Sequence, residues 1–145
     1  MPWISITPAT IGRGFAAAEL SALRTVQTAP EGDPTTATIA AVVEEVRGYV
    51  AACSKNSLGP AGTIPARLEA SALDVVRWRL LSRLPVQSMA SDARRKAYED
   101  AISMLRQVAR CEFAVDLPET VSESAGDAKT GVVGSTRPRI PRPPL

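Results

Sequence analysis

The sequence predicts an all-α fold, a small four-helix bundle with an extended, non-globular C-terminal arm. Three observations predict it. Apolar residues make up 45% of the 145 positions but aromatic ones only 4%, so the core must be built from Ala, Val, Leu and Ile. That composition favours close-packed helices over sheets. Four segments each open on a capping or proline device and continue as a one-sided apolar stripe. Beyond Glu119 the chain turns to Gly, Ser, Ala and charges and then to a Pro/Arg run, a composition that cannot bury a core. The expected organisation is a helical domain over 1–118 and an arm over 119–145.

The first helix is expected to start at Thr7-Pro8, with Thr7 as cap and Pro8 at the first helical position, where its missing N–H costs nothing. Ile11, Phe15, Ala18 and Ala22 fall on one side, and the helix should fade between Thr25 and Thr28, before a Gly/Pro/acid loop. Asp33-Pro34 repeats the device. The second helix then carries the cleanest stripe, Ile39, Val42, Val43, Val46, Tyr49, Val50 and Cys53, with Glu44, Glu45 and Arg47 expected on the other side. Its β-branched residues are weak helix formers, so packing must hold it.

Gly59-Pro60 and Gly62 break the chain. Thr63 is expected to cap a third helix with Pro65 in its first turn. The apolar face of that helix is Leu68, Ala72, Leu73, Val75, Val76, Leu80 and Leu84, and Leu84-Pro85 should end it. Arg79 projects into this face. It must be paired or must snorkel to the rim, and Glu44 or Glu45 is the expected partner. Ser91 should cap the fourth helix, with Asp92 in the first turn where the dipole favours a negative charge. Its stripe is Ala97, Tyr98, Ala101, Ile102, Leu105 and Ala109, with Arg106 and Arg110 at the cation-favouring end. Val115 to Pro118 should be extended. The prolines of the arm favour a polyproline-II-like extension.

Histidine is absent. That removes the commonest general base, the Ser-His and Cys-His pairs and most zinc sites. The carboxylate pairs Glu44-Glu45 and Glu99-Asp100 are neighbours in sequence, so on a helix they point about 100° apart and do not converge. Gly12-Arg13-Gly14 lacks the strand a phosphate loop needs. No catalytic residue, cofactor or metal site is expected, and the chain reads as a part that assembles. Cys53 and Cys111 lie among apolar helical residues and read as small buried hydrophobes rather than a disulfide framework. The opening Met1-Pro2-Trp3-Ile4-Ser5 does not read as a secretion signal, and no apolar run approaches the roughly 20 residues that cross a bilayer. The expected setting is a cytoplasm, without a membrane partner. A net charge of +2 does not by itself argue for nucleic acid.

Three groups stand out as binding candidates. Asp74 and Arg77 share a helix face at a spacing of three, which fits either a solvated face or a subunit contact, and Trp78 beside them fits an interface or partial burial. Arg94, Arg95 and Lys96 run together at a helix start, where cations oppose the dipole. They fit a soluble surface or a channel-lining, partner-facing patch. Arg137, Pro138, Arg139, Ile140, Pro141 and Arg142 in the arm fit a solubilising end, a docking strip for an acidic groove or sheet edge, or a direct DNA contact.

Beyond these readings, Arg47-Gly48-Tyr49-Val50, then Asp74-Val75-Val76-Arg77-Trp78-Arg79-Leu80, then Tyr98-Glu99-Asp100-Ala101-Ile102-Ser103-Met104-Leu105, together resemble the Mu-type phage head–tail joining proteins, small adaptor (connector) subunits of tailed bacteriophages. The opening Ile6-Thr7-Pro8-Ala9-Thr10 is similar as well, and the likeness spans roughly residues 6 to 118. Arg47 stands where that pattern carries an Asp. Cys111 stands near its Gly, so the turn there is expected to be weakened. The resemblance implies a four-helix core that joins a homo-oligomeric, dodecameric ring beneath the portal protein in the virion neck. Such a ring continues the DNA channel, so DNA passes through it, and it offers a platform to the downstream tail or neck protein, with no catalysis. The alternative from another class is a small helical nucleic-acid-binding protein using Arg94, Arg95, Lys96 and the arm, whose affinity would fall steeply with salt.

Overall fold

The computed structural model describes residues 2–28, 30, 32–83 and 92–119. The fold is all-α. In chain order it comprises β1 (Trp3–Ile4), α1 (Pro8–Gly12), α2 (Ala17–Gln27), α3 (Thr35–Ala52), β2 (Ile64–Pro65), a 3-10 turn (Ala66–Leu68), α4 (Glu69–Leu81) and α5 (Asp92–Ala109). The helices α3, α4 and α5 each pack on the other two, while α1 and α2 lie against α3 and α4. The interior is aliphatic, with Val42, Val46, Val50, Leu68, Val76 and Val108 fully enclosed.

The caps expected at Thr7 and Asp33 form. The Thr7 hydroxyl accepts from the Thr10 N–H at 3.4 Å. Asp33 Oδ1 accepts from the Thr35 N–H at 2.9 Å, so Asp33 caps α3 across the intervening Pro34. The α3 stripe is buried as read, except that Tyr49 is half-buried.

The first predicted helix is two. It breaks after Gly12 and resumes at Ala17, where Glu19 reaches back to the Ala16 N–H (2.9 Å) as half of a capping box. The break lets Gly14 sit against Arg77, where a Cβ would fall 1.8 Å from the guanidinium. It also changes the register. Ile11 and Phe15 are buried as expected, but Ala18 is exposed and Leu23 takes the inward position.

The third predicted helix starts later than Thr63. Ile64, extended as residues before proline usually are, and Pro65 pair antiparallel with Ile4 and Trp3. The Thr63 hydroxyl donates to the Pro60 carbonyl (2.6 Å) instead of capping a helix, and α4 begins at Glu69. The ladder ties the N-terminus to the turn before α4. Leu84, Pro85 and the Ser91 cap fall outside the described residues, as does the arm beyond Glu119.

Two more expectations are overturned at the far end of α3. Cys53 and Cys111 form a disulfide with Cα atoms 5.3 Å apart, joining the C-terminal ends of α3 and α5. The turn at Cys111 is intact. The Cys111 N–H donates to the Val108 carbonyl (3.0 Å) and the Glu112 N–H to the Gln107 carbonyl (2.9 Å), the paired bonds of a Schellman cap. Cys111 occupies the left-handed position of that cap, φ +62°, where Gly is usual. Residues 114–118 then run without helix or strand, and Asp116 anchors them. Its carbonyl accepts from the Trp3 indole N–H (3.0 Å), and its carboxylate pairs with Arg67 (3.3 Å).

Candidate assembly surface

The structure brings two of the predicted groups together. Asp74 and Arg77 pair along α4 at 3.4 Å, and the Arg77 side chain is only 13% exposed. Its guanidinium lies over the Phe15 ring, 5.9 Å from the centroid, and Arg94 stands 5.7 Å from the same ring. Arg94 donates to Glu19 (2.7 and 3.1 Å) and to the Gly14 carbonyl (2.9 Å). Two cations from α4 and α5 thus meet one aromatic ring and one carboxylate from the α1–α2 region. The arrangement clamps that region onto the bundle.

Arg94 is therefore spent inside the fold, while Arg95 and Lys96 remain exposed. Arg95 pairs along its own helix with Asp92 (3.5 Å) and Glu99 (4.0 Å), a surface arrangement of small energetic weight. Trp78 is half-buried and stacks on Tyr98 of α5, centroids 5.8 Å apart and planes 22° apart. Arg79 pairs with Glu45, as expected, and sits at the rim of the α3–α4 seam with its side chain 35% exposed. The arm residues 137–142 lie outside the described residues.

The Glu19 carboxyl reflects its surroundings. Burial pushes its pKa up, but hydrogen bonds from Arg94 and the Ala16 N–H, with the charges of Arg94 and Arg77, outweigh burial and hold it below its ordinary value of 4.5. A carboxyl lowered on folding adds stability above its unfolded pKa and loses it as pH falls through the folded one. Glu19→Gln is expected to lower the melting temperature at neutral pH and to flatten its decline below pH ~4.5. Thermal melts of both proteins across that range check this, and parallel curves would show that the clamp carries no such charge energy.

One residue expected on the outer side of α3 lies on the inner side. Arg47 is 7% exposed and lies on the inner side of α3, with the outward Glu44 4.0 Å from its Nε. It donates to the carbonyls of Pro60 (2.8 Å), Thr63 (2.7 Å) and Gly59 (3.1 Å), with Trp3 stacked 5.8 Å away. The signal is present in the sequence, since position 47 continues the series 39, 43, 47 at helical spacing, but a charge on that series reads as an outward residue.

Among the described residues no His/Cys/Asp/Glu group could hold a metal, and no helix is long and apolar enough to cross a membrane. A groove over α1 and α4 is lined by Thr10, Arg13, Gly14, Glu69, Leu73 and Arg77. A second lies along α3 and the end of α4. On their rims, Arg77 reaches across to Phe15 and Arg79 to Glu45, so each ties α4 to another part of the fold. The chain matches the family model described as Bacteriophage Mu, Gp36, over residues 6–133. No curated protein and no solved structure matches it.

Proposed function

Because the chain belongs to the bacteriophage Mu Gp36 family, we propose that it is the head–tail connector (adaptor) subunit of a tailed phage. In this reading copies of the chain form a ring, dodecameric as in the proteins it resembles, between the portal protein and the downstream tail or neck protein. The ring continues the DNA channel and sits in the virion neck. The family match carries the reading. It covers both packed helices, α4 with Asp74–Leu80 and α5 with Tyr98–Leu105, that give the chain its likeness to head–tail joining proteins. The internal engagement of Arg77, Arg79 and Arg94 supports it, because a ring subunit needs a stiff body with defined faces.

In this reading the arm docks on the portal through Arg137, Pro138, Arg139, Ile140, Pro141 and Arg142, since a proline-held segment loses little entropy on binding. Removing residues 119–145 is expected to leave the helical circular dichroism unchanged and to abolish capture by purified portal. Retained capture would end the arm's role. The nucleic-acid-binding alternative loses one of its helical cations, since Arg94 is held by Glu19. Duplex affinity of the full chain that collapses with added salt would restore that alternative.

A further inference from the structure

The outward side of α3 has no covering element among the described residues, yet it is not built for water. Ala37, Ala40, Ala41, Gly48 and Ala51 are exposed there, and Glu44 is the one charge among them. The outward side of α5, by contrast, carries charges at nearly every turn. A helix apolar on both sides is normally covered on both.

The groove beside this face adds a second observation. It has a volume of about 360 Å³ and is lined by Ala37, Thr38, Ala41, Arg79, Ser82 and Arg83. Thr38 is 6% exposed, and its hydroxyl has no hydrogen-bond partner among the described residues. A buried hydroxyl left unpaired is costly, so the groove lacks a polar group that an occupant would bring.

The charges indicate the occupant. Arg79 and Arg83 rim the groove, which sets it against the Arg-bearing C-terminal arm. One turn along α3 stands Glu44, its side chain 72% exposed. The outer face of α5 presents the complementary charges, with Asp100 and, one turn earlier, Lys96, both exposed. Because α3, α4 and α5 pack as a triangle, the outer faces of α3 and α5 look to different sides. A closed ring joins two such unlike faces of one chain.

We propose that the outer face of α3 is where a second copy of this chain packs its α5, with that copy's Asp100 meeting Arg83 and its Lys96 meeting Glu44. The proposal rests on the ring reading above and names the faces that meet. Small side chains on α3 let the two helices approach closely, and the crossed charges set their register.

The test uses the full chain, mixed from light and heavy isotope preparations. Carbodiimide, which joins a carboxylate to an amine, is expected to give a light–heavy Glu44–Lys96 cross-link. In sedimentation velocity Arg83→Asp is expected to weaken association about tenfold, equivalent to ~1.4 kcal/mol, and Asp100→Arg in the same chain to restore it. A chain that stays monomeric at millimolar concentration, or association that Arg83→Asp leaves unchanged, overturns the proposal. Imaging of the particle separates the two readings. A neck ring whose copies touch through other faces sinks this inference alone, while absence of the chain from the neck sinks the connector reading.

Discussion

Arg47→Met is expected to lower the unfolding free energy by about 2–4 kcal/mol and to release the 54–63 loop. Two opposed effects decide the magnitude. Removing a buried guanidinium returns its desolvation cost, and for some buried ion pairs replacement by apolar residues is neutral or stabilising. Here, however, the partners are not a carboxylate that can be replaced too. They are the backbone carbonyls of Gly59, Pro60 and Thr63, which stay where they are when the side chain goes. Its acidic neighbour among the described residues, Glu44, is 4.0 Å away and 72% exposed, so it offsets little of the charge. Stranding three carbonyls outweighs the recovered desolvation. Lys in place of Arg should recover only part of the loss, because one ammonium cannot reproduce the planar fork over separated acceptors. Denaturant titration gives the energy, and amide exchange in 54–63 gives its location. A Met variant as stable as the parent would mean that water satisfies those carbonyls and that the clamp is dispensable. The damage should spread to β1, since Trp3 lies over the guanidinium and against Gly59, where a Cβ would come within 2.7 Å of the ring.

The same residue shows how far the chain can be read before folding. The α3 stripe was legible because its aliphatic residues recur at the helical period with little to interrupt them. The Thr7 and Asp33 caps were legible because each is a short acceptor followed directly by a proline that fits the first helical position, which Thr63 lacks. The Arg79–Glu45 pair followed from the cost of leaving a guanidinium unpaired on an apolar face. Arg47 escaped because periodicity identifies a face by its apolar members and is silent about a cation satisfied by backbone carbonyls from a distant loop. The split between α1 and α2 escaped for a related reason. The Ile11–Phe15 spacing suits one continuous helix, but the Arg77 guanidinium contributed by α4 occupies the space a side chain at Gly14 would need. The meeting of Arg77 and Arg94 over Phe15 depends on α4 and α5 being placed beside α1 and α2, a tertiary fact that no local pattern encodes. Of the candidate site, the residue types on α4 and α5 and the Asp74–Arg77 pair within α4 were therefore readable, and their partners on other helices, Glu45 apart, were not.

Breaking the Cys53–Cys111 bond is expected to have the other largest effect. Two lone cysteines 58 residues apart gave no spacing signal, yet the chain-entropy model assigns closure of so long a loop about 4 kcal/mol. Cys53→Ala should therefore lower the stability of the oxidised protein by about 3–4 kcal/mol, and adding a reductant to the parent should do nearly the same. Cys111→Gly loses the same bond but should fall about 1 kcal/mol less. At φ +62° Cys111 pays for a left-handed backbone that Gly adopts freely, and the Schellman bonds to Val108 and Gln107 need only the backbone. The ranking, parent above Cys111→Gly above Cys53→Ala, separates the crosslink from the turn. Denaturant curves with and without reductant measure both, and the two variants should differ equally in either condition because their difference lies in the backbone. If reduction leaves the parent's midpoint unmoved, the bond does not stabilise this fold and the two helix ends are held by packing alone. If Cys111→Gly is the weaker variant, the left-handed residue is not strained and the turn owes its shape to the crosslink.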